Sequence, residues 1–539
     1  YHSHFRVSIF FANTAQKMGV LSSFSSLLLR VPPSSLLHSN AAIGANTMSF
    51  VVIILLPLAV LVAHRESSLV SAWAAKSNNP QLLRNDFDKN RSTNEKDILR
   101  GATEQQRHDD KHKSTTSNME DRGGNGVLHL CFLVHGHRGR SSDLSYLKSI
   151  VENTADQHDS IHLGESFVVH SSQCNEDKTH DGIVTGGERL VTEILDVIRH
   201  EVTDMEGRLS YGRRVEDVTI SLVGNSLGGL YARYAISRLR DIMRVVDGDD
   251  DDNDGTDMMW IDRRMHFNVF CSTATPHLGV ASHTYIPVPR AAEKRIAEAM
   301  GPTGRDLFRF SDLVRNMGTN PYFLEALGTF RKRIAYANAF HTDFPVPSST
   351  AAFLNPYSNS PHRFVDDESV NNSTNKHDNY PYAANIVAKV HTETIPTSSS
   401  SSPTNDDDCH HNDDDMVRMC KSLDALGWKK VFVDLRQNIP FSVPLQLPLL
   451  STTASNSTSM EHKITDLRNR KVVESRDLHQ TISKADRKLS LPIGHNMIVA
   501  FSRSTFSSYV NRAGRPVMDD LAKELVEDIL LWRMEKTPA

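Results

Sequence analysis

The sequence predicts an α/β domain: a mostly parallel sheet with helices on both faces and polar insertions between the elements. Three observations carry this. Apolar runs of strand length recur along the chain, and they alternate with helical patterns. One of them leads through Gly224-Asn225-Ser226-Leu227-Gly228 straight into a helix.

Residues 127–134, VLHLCFLV, are the first run, uninterrupted as in a parallel strand buried on both faces. Others are SFVVH (166–170), VTISLV (218–223), HFNVFCS (266–272), RIAYANAF (333–340) and KKVFVDL (429–435). Between them, Leu190, Ile194, Val197 and Ile198 share one helical face, and a second helix is expected from Leu227 to Leu239. Leu521, Leu525, Ile529 and Trp532 mark a final amphipathic helix over 518–534, expected to pack on the sheet. Strands alternating with helices build βαβ units.

The 539 residues suffice for one large domain and its appendages, and the 39% hydrophobic content implies polar filler. A net charge of -5 gives no reason to expect a nucleic-acid partner. Cys131, Cys174, Cys271, Cys409 and Cys420 form no CxxC pair, which argues against a structural zinc site and a disulfide framework. Cys131 and Cys271 read as buried, inert thiols.

Residues 1–75 form an N-terminal extension whose apolar core, FVVIILLPLAVLVA (50–63), is short for a membrane span and suits a signal peptide. Ala72-Trp73-Ala74 offers a cleavage site, a retained anchor is the alternative, and Met18 and Met48 are candidate starts. The expected destination is the secretory or endomembrane route, or a membrane surface, with plastid and lipid droplet as further options. Residues 76–126 read as a disordered linker and 127–539 as the folded domain. Within it, 247–257, 348–415 and 451–485 read as solvated low-complexity insertions whose removal should be tolerated. DDDCHHNDDD (406–415) is a candidate metal tract, but such tracts bind metal weakly, so no metal is assigned. Sequons at Asn90, Asn371, Asn372 and Asn456 fall in polar stretches compatible with glycosylation.

The stretch VTISLVGNSLGGL (218–230) places a G-x-S-x-G pattern between a strand and a helix. A serine on such a turn projects its hydroxyl clear of the sheet. The positions two before and two after it, here Gly224 and Gly228, come close together, so only very small side chains fit there. The helix start then aims N–H groups at a developing oxyanion. This is the nucleophile elbow of the α/β-hydrolase fold, and it makes Ser226 the candidate nucleophile. Val134-His135-Gly136-His137-Arg138-Gly139 follows the first strand, where this fold supplies the other oxyanion donor. The backbones of His137 and Leu227 are assigned as the oxyanion hole, and His135 is given a structural role in that loop.

Four blocks then resemble a known family: FLVHGHRGRSSDLSYL (132–147), THDGIVTGGERLVTEI (179–194), ISLVGNSLGGLYARYAI (220–236) and STATPHLGV (272–280). Their order and spacing are similar to those of the DUF676 serine esterases and lipases, over about 127–346 and more weakly from Trp428 onward. The resemblance implies lipid or small ester substrates, a membrane or lipid-droplet surface as the place they are met, and no cofactor. Asn225 stands where the family usually has His, and His137 where it has an apolar residue. Both departures bear on substrate preference rather than on catalytic groups. THDGI and TPHLG read as structural signatures that shape the pocket.

Hydrolases of this fold order the triad Ser, acid, His along the chain. Asp343, just beyond RIAYANAF, is the expected acid, and the resemblance implies the same residue. Asp434 is the runner-up. His495, in LSLPIGHNMIVA, is the expected base over His462 and His479, which sit in a polar insertion. The expected enzyme is a serine carboxylic ester hydrolase working through an acyl-enzyme. An acyltransferase or thioesterase with the same triad, or a non-catalytic lipid- or protein-binding module, are the rival classes. Phe308, Phe310, Leu313, Phe323 and Leu327 within 281–332 belong either to the core or to a lid.

Overall fold

The first apolar run becomes β1 (Gly126–Val134), buried along its whole length. Its side chains alternate between two cores. Leu128, Leu130, Phe132 and Val134 join one apolar cluster, while Cys131 and Leu133 join another on the opposite face. The structure, a computed structural model, describes residues 126–158, 165–209, 214–243, 258–260, 262–281, 290–343, 346–365, 385–395, 411–438, 442–444, 460–483, 488–490 and 493–536. All belong to the compact unit Glu120–Ala539. The N-terminal extension, the linker up to Asn125, the insertion 247–257, the four sequons and residues 406–410 of the 406–415 tract, with Cys409, lie outside the described residues.

The other strands are β2 (Glu165–Ser171), β3 (Val215–Asn225), β4 (Met258–Trp260), β5 (Arg263–Thr273), β6 (Lys332–Asn338), β7 (Pro361–Phe364), β8 (Ile386–His391), β9 (Lys429–Val433), β10 (Ser442–Pro444), β11 (Val473–Glu474) and β12 (Lys488–Ser490). The main sheet runs β11-β7-β8-β9-β6-β5-β3-β1-β2, with β4 paired to β5 and a separate β10-β12 ribbon. The six apolar runs of the sequence are the six parallel strands β2, β1, β3, β5, β6 and β9. The fold is therefore the expected mostly parallel α/β sheet. Helices Ile183–Arg208 and Leu227–Ile242 cover one face, and Ser145–Asp156 and Arg515–Lys536 cover the other. Leu521, Leu525 and Ile529 of the last helix are buried as its pattern predicts.

Two stretches read as solvated insertions are not so throughout. Within 348–415, β7 and β8 extend the sheet by antiparallel pairing, and Ile386 to Val390 are buried. Within 451–485, the helices Met460–Arg468 and Ser475–Ile482 bury Ile464, Leu467, Leu478 and Ile482 in a third core with Phe432. Short amphipathic pieces with few apolar residues gave no clear period, yet the open side of the sheet needs covering. Between 290 and 328 lie four short helices, with Phe308 and Leu327 in the core and Phe310, Leu313 and Phe323 packed against it. Core packing therefore accounts for the apolar set of that segment.

Candidate active site

Parallel strands end on a common edge. Asn225 of β3 pairs with Thr273 of β5, which pairs with Tyr336 of β6. Ser226 follows β3 directly and precedes the helix Leu227–Ile242. Its backbone, at φ 54° and ψ -125°, occupies a region an L residue rarely adopts. The surroundings hold it there: Ser226 N donates to Thr273 O at 2.8 Å, and Gly229 N donates to Ser226 O at 3.1 Å. The turn has no room for side chains. A Cβ on Gly224 would lie 2.4 Å from Gly229 Cα, and one on Gly228 would lie 2.2 Å from Val134 O.

The loop after β1 comes against the serine. A Cβ on Gly136 would meet Ser226 Cβ at 2.7 Å and its hydroxyl at 3.2 Å. This close approach brings the Gly136–His137 peptide alongside Ser226, opposite the helix start at Leu227. His135 is buried, with Nδ1 3.1 Å from Gly136 O, and so stiffens the loop. The His137 ring packs edge-on against His180 at 4.9 Å.

Asp343 follows β6 and is fully buried. Its Oδ2 lies 2.9 Å from His495 Nδ1 and accepts from Asn338 Nδ2 at 3.0 Å, while its Oδ1 accepts from Val346 N at 3.2 Å. The Asn338 amide also donates to Gly494 O at 3.2 Å, so one side chain ties the acid to the segment bearing the histidine. Gly494 N donates to Thr342 O at 3.0 Å, and a Cβ there would lie 2.4 Å from that oxygen. Burial pushes the His495 imidazole down, but the charge and hydrogen bond of Asp343 outweigh it and hold the ring above its ordinary value. The ring keeps 18% of its side-chain surface exposed, toward which an approaching group can move.

The alternatives are occupied elsewhere. Asp434 is nearly buried and held by Arg436, whose Nε and Nη2 lie 3.0 and 2.8 Å from its two oxygens. His479 is half-buried on the helix Ser475–Ile482 rather than on a solvated insertion, and the His462 side chain lies outside the described residues. The signature blocks have structural work. His277 is fully buried between Ser272 Oγ at 2.9 Å and Arg233 Nη1 at 3.2 Å. Burial first, then the Arg233 and Lys430 charges, hold it far below its ordinary value and keep it neutral. Thr179 accepts from Arg138 N at 2.9 Å and, through its carbonyl, from Thr303 Oγ1 at 2.7 Å.

Besides the Asn338 tie, sequence reasoning missed a second one. Asp143 is nearly buried beside the oxyanion loop and accepts from Arg503 Nε at 2.7 Å and Nη2 at 2.8 Å. Arg503 Nη2 also donates to Arg138 O at 2.9 Å. Arg503 stands eight residues after His495, so it clamps the histidine segment to the oxyanion loop. Among the described residues no group of three or more His, Cys, Asp or Glu side chains could hold a metal ion.

A parallel sheet with a strained serine at a strand–helix turn and a buried carboxylate–imidazole pair is the arrangement that serine hydrolases use. Residues 125–353 match the family model described as "Putative serine esterase (DUF676)", so the family resemblance of the sequence blocks holds over that stretch. The match includes Ser226 and Asp343 and ends before His495. Over 236 residues the chain is 27% identical to "Putative lipase ROG1" of Saccharomyces cerevisiae, covering 42% of this chain and 28% of the yeast protein. The chain thus matches less than a third of that relative's length. A solved structure, the phospholipase PlaB from Legionella pneumophila in complex with thio-NAD, aligns over 39% of this chain and 38% of that one, at 12% identity and a TM-score of 0.25.

Proposed function

We propose that this chain is a carboxylic ester hydrolase acting on lipid esters, with Ser226 as nucleophile, His495 as general base and Asp343 as the group that orients it. The observation that carries the reading is the Asp343–His495 pair at 2.9 Å, on the same sheet edge as the strained Ser226. Asp343 accepts the Nδ1 proton, which leaves Nε2 free to take the proton of the Ser226 hydroxyl. The serine oxygen attacks the ester carbonyl, and the backbone N–H groups of His137 and Leu227 receive the oxyanion. Collapse of the tetrahedral adduct expels the alcohol, which takes its proton from His495 and leaves an acyl-serine. Water, deprotonated by His495, then releases the acid and restores the serine. The Asp343 carboxylate that holds His495 above its ordinary value against burial also strengthens it as the proton acceptor this exchange needs.

The lipid class of the ester rests on the DUF676 match and the yeast relative's printed name, and the reading includes a membrane surface as the place the substrate is met. The apolar run 50–63, outside the described residues, is read as the route to that surface. The test is hydrolysis of a panel of short and long acyl esters by the purified chain and by Ser226→Ala. Turnover that vanishes in the variant, with unchanged circular dichroism, supports the reading. Turnover retained above a few per cent overturns it.

A further inference from the structure

The segments behind the two halves of the candidate site meet again in a second feature. Ser145 and Tyr146 open the helix that follows the oxyanion loop, and 502–515 follow the histidine segment. They enclose an open groove of about 640 Å³ on the flank of the sheet. Its lining is unusual in chemistry. Ser145, Ser502, Ser504, Thr505 and Ser508 contribute hydroxyls, and Arg512 and Arg515 contribute the charge.

Among the described residues neither guanidinium has a carboxylate within ion-pair distance, although most of the other described arginines are so paired. Both are nevertheless held in place. Arg512 lies over the Tyr509 ring at 4.6 Å and Arg515 over the Tyr146 ring at 4.9 Å. Arg515 Nη2 also donates to Ser508 Oγ at 3.0 Å. Stacking uses the face of a guanidinium and leaves its N–H edge free to donate. Asp519, one turn along the last helix from Arg515, accepts from Tyr146 OH at 2.8 Å. Two oriented forks beside several hydroxyls match the tetrahedral oxygens of a phosphate, which arginine binds bidentately.

We propose that this groove binds a phosphate group, and that its physiological source is the headgroup of an anionic phospholipid. The position argues for a lipid source, because the walls are continuations of the oxyanion loop and of the histidine segment. A headgroup held there touches segments continuous with both halves of the candidate site. The proposal concerns binding alone and stands whether or not Ser226 is the nucleophile.

The test uses the full chain carrying Ser226→Ala, so that no hydrolysis interferes. One arm measures co-sedimentation with phosphatidylcholine vesicles, with and without one-fifth phosphatidic acid. The other arm measures inorganic phosphate by calorimetry. Arg512→Gln/Arg515→Gln is compared with Arg199→Gln/Arg208→Gln, an equal charge change on the helix Ile183–Arg208. Basic side chains near an anionic surface contribute about fivefold each, so the groove pair should weaken partition to acidic vesicles about 30-fold. The control pair should keep it. Saturable phosphate binding lost in the groove variant, without vesicle binding, would support the site and transfer its source to a soluble phosphorylated ligand. Equal losses in both pairs, or none in the groove pair when circular dichroism shows both folded, would overturn the proposal.

Discussion

Replacing Arg503 by Met should slow catalysis far more than it weakens substrate binding. Arg503 gives Asp143 two hydrogen bonds, at 2.7 and 2.8 Å, and the Asp143 side chain is 3% exposed. In the variant that carboxylate keeps only the Arg140 N–H at 2.8 Å. Stranding a buried charge costs about 3–5 kcal/mol. Arg503 itself is 32% exposed, so water reaches the vacated space, and about 2–3 kcal/mol of lost stability is the discounted expectation. The catalytic effect has a ceiling of about 10²–10³ in kcat, the cost of losing one oxyanion donor outright. A loosened loop displaces the His137 N–H rather than deleting it, so a fall of about 10–100-fold in kcat is expected, with KM changed less than about threefold. The assay is steady-state hydrolysis of a soluble ester, paired with urea unfolding. Arg503→Met/Asp143→Leu should recover stability, because the stranded charge is gone, without recovering kcat. A folded Arg503→Met protein with kcat within about twofold of wild type would refute the clamp argument.

Gly228→Ala should yield insoluble or inactive protein, since its Cβ would lie 2.2 Å from Val134 O and 2.6 Å from His135 O, both rigid backbone; soluble expression with full activity would contradict the elbow geometry. Asp343→Asn should lower the rate and move the acid limb of the kcat/KM profile downward. Asp343 is what holds His495 above its ordinary 6.5, and without its charge only the downward push of burial remains; the limb is read from initial rates between about pH 4 and 9. Replacing 366–384 by a short Gly/Ser link should preserve fold and activity, because Val365 N donates to Lys389 O at 3.0 Å and the link joins antiparallel neighbours. Extending the deletion through 385–395 should abolish soluble expression, since it removes β8 and the buried Val387 and Val390.

The candidate elbow was legible because its constraint is local to the chain. The elbow needs two glycines and a serine within five residues of a strand end, and such a constraint can be read directly. The contact between Asp343 and His495 was expected from chain order, with Asp343 following β6 and His495 in the last apolar stretch after the polar insertion. The clamp was not legible, because Arg503 and Asp143 lie 360 residues apart and neither belongs to a spacing rule. Asn338 was hidden for a related reason: it ends an apolar strand, and only the fold reveals that its amide reaches both Asp343 and Gly494. On the far side of the sheet, β8 is a six-residue run inside polar sequence, and the helix Ser475–Ile482 buries only two large apolar side chains. Composition outweighed periodicity there. Tertiary cover over the sheet edge decides the outcome, and that is a property of the assembled fold.

The central claim is that Ser226 is an activated nucleophile served by His495. Its most direct test is labelling of the purified chain with a fluorophosphonate, followed by mapping of the adduct by mass spectrometry. The account predicts a single adduct on the peptide carrying Ser226, absent in Ser226→Ala and formed orders of magnitude more slowly in His495→Gln. An adduct on another serine, or a folded native chain that remains unlabelled, would contradict it.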